Sequence, residues 1–233
     1  MSEIIQMNVI AKIHTDFSSK FGIPRQSGLV EELDAQIVFE PKYRNMDAVR
    51  GLEGFSHIWL LWEFSECVRT EFMPMVNPPR MGKNQRMGVF ATRSPYRPNP
   101  IGMSSVKLVK IENHEKYGPV LHVKGADLLN NTPILDIKPY LPYTDIHNDA
   151  TGGFATQFLQ DILQVECSKE WLNLIPKDKQ EALLGVLRQD PRPAYTKFPD
   201  RIYGLEFAGF DVRFRVQDEV LSVCEIVPLT HNK

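Results

Sequence analysis

Hydrophobic and polar residues alternate near the start of the chain. Ile5, Met7, Val9, Ala11 and Ile13 are separated by mostly polar neighbours, a pattern typical of a strand with one buried face. Short apolar runs between Gly, Pro or Asn-rich breaks predict further strands at 35–39, 56–64, 87–91, 104–111, 120–123 and 133–137. No convincing long helix pattern interrupts these runs. They therefore favour an antiparallel sheet that closes into a barrel or a sandwich.

The second part of the chain has a different pattern. Residues 141–154 have the polar and turn-forming composition of a linker or exposed loop. Helical spacing then predicts a helix at 177–189, and two apolar runs at 205–216 and 220–227 predict a hairpin. Residues 158–165 fit a helix and a strand equally well.

We therefore expect a mainly β protein with a small antiparallel β-barrel at residues 1–143. A linker at 144–156 and a small α+β domain at 157–233 would follow it. The 233 residues, 42% of them hydrophobic, are enough to bury a substantial core.

Three widely spaced cysteines support neither a disulfide framework nor a zinc knuckle, and they suggest a reducing compartment. The N-terminus lacks the features of a secretion signal, and the longest apolar run, Ile58 to Trp62, is too short to span a bilayer. These observations predict a cytoplasmic protein without membrane association.

Charge is distributed unevenly along the chain. No Asp or Glu occurs between Glu71 and Glu112, whereas the same window holds Arg80, Lys83, Arg86, Arg93, Arg97, Lys107 and Lys110. A formal net charge of -2 therefore conceals a basic region, which favours an anionic ligand. The alternative is that these cations point in several directions and pair with acidic residues elsewhere.

A proline-rich loop at 91–104 lies inside this basic window. Pro95, Pro98 and Pro100 restrict the backbone, so Arg93 and Arg97 have little conformational freedom to lose on binding. The sequence contains no dinucleotide-binding glycine motif, no P-loop, no serine nucleophile elbow and no metal-ligand spacing of histidines. We therefore expect no metal. His57 lies just inside an apolar strand, and we interpret it as a hydrogen-bonded structural residue.

Several segments together resemble the TsaA-like family of S-adenosylmethionine-dependent tRNA methyltransferases. The matching segments are 24–26, 50–53, 55–57, 88–94, 97–102, 136–140 and 190–195. The resemblance implies a β-barrel catalytic domain unlike the Rossmann fold, a C-terminal domain that aids tRNA binding, and a homodimer with its active site near the subunit interface. It also implies methylation of N6 in threonylcarbamoyladenosine, the nucleoside 3′ of the anticodon in threonine tRNA.

The resemblance also suggests roles for individual residues. Contacts to S-adenosylmethionine are expected from Pro24, Arg25, Gln26, Arg93, Asp127, Leu128, Leu129 and Asn130. Ser65 and Glu66 are further cofactor candidates, although close relatives can have His-Gln at this pair. Substrate and tRNA contacts are expected from Arg86, Arg97, Lys138, Arg192 and Tyr195.

The N6 atom is a poor nucleophile unless its proton is accepted as the new bond forms. Asp136 is the candidate acceptor and Tyr140 the orienting group, although Asp136 could instead pair only with Lys138 or an arginine. Two other functions stay open: a non-catalytic RNA-binding module, and a sensor that binds S-adenosylmethionine without transferring its methyl group.

Overall fold

The computed structural model describes residues 4–67, 71–78, 81, 85–158, 162–193, 198 and 201–229. Its first eight strands are β1 (Ala11–His14), β2 (Asp34–Phe39), β3 (His57–Glu63), β4 (Met75–Val76), β5 (Met87–Gly88), β6 (Ile101–His114), β7 (Gly118–Lys124) and β8 (Thr132–Pro139). Six of them form a closed antiparallel barrel in the order β1-β2-β7-β6-β3-β8, and β4 pairs with β5. The predicted β-barrel is confirmed.

Alternating apolar positions form the barrel core. In β3, Ile58, Leu60 and Trp62 are buried, whereas the residues between them are only partly buried. Burying one such aliphatic side chain contributes about 1.5–3 kcal/mol. One core of 16 buried residues, drawn from all six strands and neighbouring segments, therefore fixes which face of each strand points inward.

The C-terminal part is a four-stranded sheet packed against a helix. A short helix α1 (Pro142–Asp145) follows β8, and Asp145 accepts a hydrogen bond from Trp59 of the barrel. The C-terminal part itself contains β9 (Gln164–Glu166), α2 (Lys169–Leu172), α3 (Lys177–Arg188), β10 (Tyr203–Phe207), β11 (Phe210–Gln217) and β12 (Val220–Pro228). The strand order is β10-β11-β12-β9. Ala182, Leu183, Val186 and Leu187 bury one face of α3 against the sheet. This agrees with the expected mainly β protein with a small α+β C-terminal part.

Short 3-10 helices connect these elements at Pro41–Tyr43, Met46–Val49, Leu52–Gly54, Val89–Ala91 and Gly153–Phe158. Within the described part of the chain, none of the helices has the length and apolar character needed to cross a membrane.

The structure corrects three local predictions. The first strand begins at Ala11, and the apolar residues Ile4, Ile5 and Met7 before it are exposed. The run 87–91 forms only a two-residue strand before it turns into a 3-10 helix. The run 205–216 is divided between β10 and β11 by a turn at Ala208 and Gly209, which both have positive φ.

Candidate functional site

Three connecting loops meet at one end of the barrel. Antiparallel pairing places the ends of β1, β3 and β7 at one end of the barrel. The starts of β2, β6 and β8 lie at the same end. The connections at this end, called loops below, comprise residues 15–33, the described residues of 64–100, which include β4 and β5, and residues 125–131. The predicted cofactor-binding residues all fall in these loops, although they are far apart in the sequence.

A chain of hydrogen bonds runs from the barrel interior into these loops. Trp62 Nε1 donates to Ser104 Oγ at 3.0 Å, and Ser104 Oγ donates to Asp127 Oδ1 at 2.6 Å. Ser104 is only 1% exposed, on the inward face of β6. A buried polar group needs such partners, because an unpaired one would cost free energy. These two hydrogen bonds therefore fix the position of the Asp127 carboxylate.

The electrostatic environment of Asp127 is unusual for a carboxylate. Burial raises the pKa of Asp127 above its ordinary value, because a low-dielectric environment disfavours the charged form. The hydrogen bond from Ser104, the positive charge of Arg93 and the backbone N–H of Ser27 act in the opposite direction. A partly buried acid whose pKa is raised by desolvation thus lies within electrostatic reach of a guanidinium, an arrangement often found at functional sites.

Loops 15–33 and 64–100 contact each other beside Asp127. Arg93 Nη1 donates to Gln26 Oε1, so two predicted cofactor residues from different loops meet directly. Lys20 forms an ion pair of 3.0 Å with Glu66, and this contact raises the pKa of Lys20. The predicted pair Ser65 and Glu66 is exposed. Side chains of both charge signs are therefore available around one site.

The remaining cofactor candidates contribute chiefly to the shape of the loops. The Leu128 side chain is buried in the barrel core, and its carbonyl oxygen accepts from Thr15 Oγ1 at 3.1 Å. Asn130 Oδ1 accepts from the Thr15 N–H at 3.2 Å. The carbonyl oxygen of Leu129 accepts from Thr132 Oγ1 at 2.7 Å. Pro24 is buried and Arg25 is exposed.

The two catalytic candidates lie on the outer face of the barrel. Asp136 pairs in register with Leu61, and its carboxylate is 2.9 Å from Lys138 Nζ. Tyr140 lies beside the start of β3, at the barrel end opposite the three loops, and its ring is 5.6 Å from that of Trp59. Within one chain, the structure therefore does not place Asp136 and Tyr140 in the cluster around Asp127.

The basic candidates occupy different environments. Arg86 is exposed, and Arg97 Nη1 donates to the Thr92 carbonyl oxygen at 3.1 Å. Arg192 is largely buried and forms two hydrogen bonds with the Asp190 carboxylate, at 2.7 and 2.9 Å. Arg192 and Pro24 both line a cleft of about 400 Å³ between loop 15–33 and the end of α3. Tyr195, Arg80 and Lys83 lie outside the described residues.

Sequence reasoning did not identify Trp62, Ser104 and Ser27 as parts of the site. Ser104 had a detectable signal, because it is a hydroxyl at an inward position of a strand whose other inward residues include Val106 and Leu108. Ser27 acts on the pKa of Asp127 through its backbone N–H, so the identity of its side chain could not have predicted this role. No group of three or more His, Cys, Asp or Glu side chains suited to a metal occurs in the part of the chain described by the structure.

The fold and the site define a β-barrel protein with a ligand site of mixed charge at the barrel end. Its N-terminal part matches the tRNA-methyltransferase O N-terminal domain over residues 12–146, and its C-terminal part matches the TrmO C-terminal domain over residues 157–229. The chain therefore belongs to the tRNA-methyltransferase O (TrmO) family. The family prediction, and with it the prediction of a tRNA-methylating enzyme, is confirmed.

Two of three compared proteins cover nearly the whole chain. It is 41% identical over 231 residues to the tRNA (adenine(37)-N6)-methyltransferase of Escherichia coli, covering 96% of this chain and 98% of the relative. It is 35% identical over 145 residues to a protein of Pyrococcus abyssi named a probable S-adenosyl-L-methionine-binding protein, covering 62% of this chain and 73% of the relative. A TrmO crystal structure from Pseudomonas aeruginosa superposes with a TM-score of 0.80 at 32% identity, covering 98% of this chain and 99% of the other.

Proposed function

We propose that this chain transfers a methyl group from S-adenosylmethionine to N6 of threonylcarbamoyladenosine at position 37 of threonine tRNA. The observation that carries the proposal is the similarity to the Escherichia coli adenine-37 methyltransferase, which extends over both parts of the chain. The threonylcarbamoyl group and the choice of threonine tRNA come from the family resemblance. The reaction would take place in the cytoplasm, where tRNA is found.

The residues around Asp127 suit S-adenosylmethionine because their charges complement those of the cofactor. The cofactor carries a carboxylate as well as an ammonium and a sulfonium cation. Arg93 offers a guanidinium for the carboxylate, and Asp127 offers a partly buried carboxylate for a cation or a ribose hydroxyl. Gln26, in contact with Arg93, adds an amide that can donate and accept. Pro24, Arg25 and the 127–130 segment would complete the site.

When bound, S-adenosylmethionine supplies a methyl group on a positively charged sulfur. Displacement at that carbon needs no protein nucleophile, so the residues of this chain would act mainly by alignment and by excluding water. The rigid proline-rich loop and the hydrogen-bonded chain from Trp62 to Asp127 favour such alignment, since neither has to become ordered on binding.

Asp136 is our candidate acceptor for the N6 proton, with Tyr140 as the group that would orient the substrate. Lys138 Nζ lies 2.9 Å from the Asp136 carboxylate and holds it in place on the strand. Because Asp136 lies on the outer barrel face, we further propose that a homodimer brings this face of one subunit towards the loop end of the other. Exposed apolar side chains beside the site support a dimer: Phe90 is 72% exposed, and its ring stacks at 6.4 Å on that of the exposed Phe72.

The anionic substrate has several candidate contacts. Arg97 is held beside the site by its bond to Thr92, and Arg86 is exposed in the same loop. Either guanidinium could take a phosphate or the threonyl carboxylate. Lys138 would contact tRNA on the outer barrel face, and Arg192 and Tyr195 would do so from the C-terminal part.

The substrate assignment can be tested with two forms of one tRNA. Threonine tRNA with and without threonylcarbamoyl at adenosine 37 would be incubated with labelled S-adenosylmethionine, and the nucleosides would be separated by mass. We expect label in methylated threonylcarbamoyladenosine and almost none in the unmodified tRNA. Equal labelling of both would refute the threonylcarbamoyl requirement. Binding of both ligands without transfer would favour a sensor, and tRNA binding without cofactor binding would favour an RNA-binding module.

A further inference from the structure

The loop at residues 15–33 belongs to two parts of the molecule at once. It connects β1 to β2 of the barrel and carries the site residues Gln26 and Ser27. Three of its side chains, Phe17, Val30 and Leu33, are nevertheless buried in the hydrophobic core of the C-terminal part. The Phe17 ring meets the Phe207 ring edge-on at 5.6 Å.

Glycines allow this loop to approach the C-terminal part closely. Gly22 has a φ of +87°, and a Cβ at this position would overlap Leu205 Cδ1. Gly185 lies on α3, where a Cβ would be 2.6 Å from Val30 Cγ1. At both positions a larger residue would push the loop away from the C-terminal part.

Polar contacts fix the loop along the same boundary. Lys179 of α3 forms a 2.6 Å ion pair with Asp16, and both side chains are only 20% exposed. The Asp16 carbonyl oxygen accepts from the Ala208 N–H at 3.1 Å. Ser18 Oγ donates to Glu206 Oε2 at 2.6 Å. A partly buried ion pair resists screening better than an exposed one, so the Lys179 contact holds its partner in one place.

The other end of the same loop completes the ligand site. Gln26 contacts Arg93, and the backbone N–H of Ser27 acts to lower the pKa of Asp127, against the effect of burial. Lys20 binds both the Glu66 carboxylate and the Glu66 carbonyl oxygen. Residues fixed by the C-terminal part at 16–18 are therefore followed by Lys20 two positions later and by the site residues Gln26 and Ser27 within ten positions.

We infer that Lys179 is a positioning residue for the cofactor site, and that the C-terminal part holds loop 15–33 in the conformation that binds S-adenosylmethionine. This gives the C-terminal part a second role besides aiding tRNA binding. A test of this inference by cofactor affinity rests on the proposed function, in which the site binds S-adenosylmethionine.

The test compares full-length Lys179→Met with Lys179→Arg, which keeps the charge, and with Lys177→Met, a matched control at an exposed lysine of the same helix. We expect Lys179→Met to raise the Kd and KM for S-adenosylmethionine about three- to tenfold, with a much smaller change in kcat at saturating cofactor and in the KM for tRNA. Lys179→Arg should recover most of the affinity, and Lys177→Met should match the wild type. Ser18→Ala, which removes one exposed contact, provides a milder variant if Lys179→Met does not fold.

Amide hydrogen exchange in residues 20–28 supplies a second readout that needs no cofactor. Faster exchange there in Lys179→Met, but not in Lys177→Met, is the expected result. Unchanged exchange and unchanged cofactor Kd in folded Lys179→Met would overturn the inference, as would a rise confined to the KM for tRNA. If the wild-type chain bound no S-adenosylmethionine, the proposed function would fail, and the exchange data would still decide whether Lys179 positions the loop.

Discussion

Replacing Gly102 by alanine should disturb the site through the Trp62 ring. Gly102 is paired with Trp62 between β6 and β3, and an added methyl group would lie within 2.6 Å of three atoms of the indole ring. The ring would have to withdraw by about 1 Å before these contacts reached the ordinary range that begins at 3.4 Å. Such a shift would pull Trp62 Nε1 from Ser104 Oγ, which lies 3.0 Å away.

The energetic cost can be assembled from two effects. Overpacking in a well-packed core typically costs about 1–3 kcal/mol, and loss of one buried hydrogen bond costs about 1 kcal/mol. The sum, about 2–4 kcal/mol, corresponds to a fall in Tm of about 5–15 °C for a chain of this size. Alanine is more favourable than glycine in a strand. Any loss of stability in Gly102→Ala therefore comes from the contact with Trp62.

Thermal unfolding and titration of S-adenosylmethionine would measure both consequences. The Gly102→Ala variant should melt lower and bind the cofactor more weakly, because Ser104 would lose the Trp62 N–H that fixes its hydroxyl and would hold Asp127 less firmly. Gly54→Ala is the matched control, since an added Cβ there meets nothing within 4 Å. Trp62→Phe in the Gly102→Ala background should recover part of the stability by providing space. A Gly102→Ala variant with the Tm and cofactor Kd of the wild type would refute this reasoning.

Three further substitutions test other parts of the site. Asp127→Asn should raise the Tm at pH 7. Burial raises the pKa of Asp127, so the stabilising contribution of this group is complete only below its unfolded-state pKa and is lost as pH rises through the folded-state pKa. The Tm difference should shrink in melting experiments as the pH is lowered below the ordinary pKa of an aspartate, and a lower Tm of the variant at pH 7 would contradict the sign. Arg97→Ala should weaken tRNA binding and reduce the slope of log K against log salt by about one; an unchanged slope in a salt titration would exclude the phosphate role. Asp136→Asn should retain cofactor binding and lose turnover, so intact single-turnover methylation would remove Asp136 as the proton acceptor.

The barrel could be predicted from the sequence because its strands carry a local signal. Alternation at Ile58, Leu60 and Trp62 directly reflects one buried and one outer face. The strand predicted at 87–91 was wrong in its second half. Val89 is buried there, but it lies in a 3-10 helix after β5. Ile5 and Met7 alternate correctly yet remain exposed and unpaired with any described strand.

The site could be predicted only in part. The proline-rich arginine loop has a local signature, and the contact between Arg93 and Gln26 links two segments that the family resemblance had grouped. The burial of Phe17 and Val30 in the C-terminal core has no local signature, because it depends on packing against residues more than 150 positions away. The hydrogen bonds from Trp62 through Ser104 to Asp127 likewise join residues far apart in the sequence, so they could be identified only in the folded barrel.

The most direct test of the central claim is transfer of labelled methyl from S-adenosylmethionine to bulk tRNA from cells that lack this protein, followed by mass analysis of the nucleosides. We expect the label in one nucleoside, the N6-methylated form of threonylcarbamoyladenosine, in a tRNA fragment containing position 37, as the relatedness to the Escherichia coli enzyme suggests. Label in a different nucleoside would contradict the substrate assignment. Absence of transfer, with cofactor and tRNA both bound, would contradict the methyltransferase account itself.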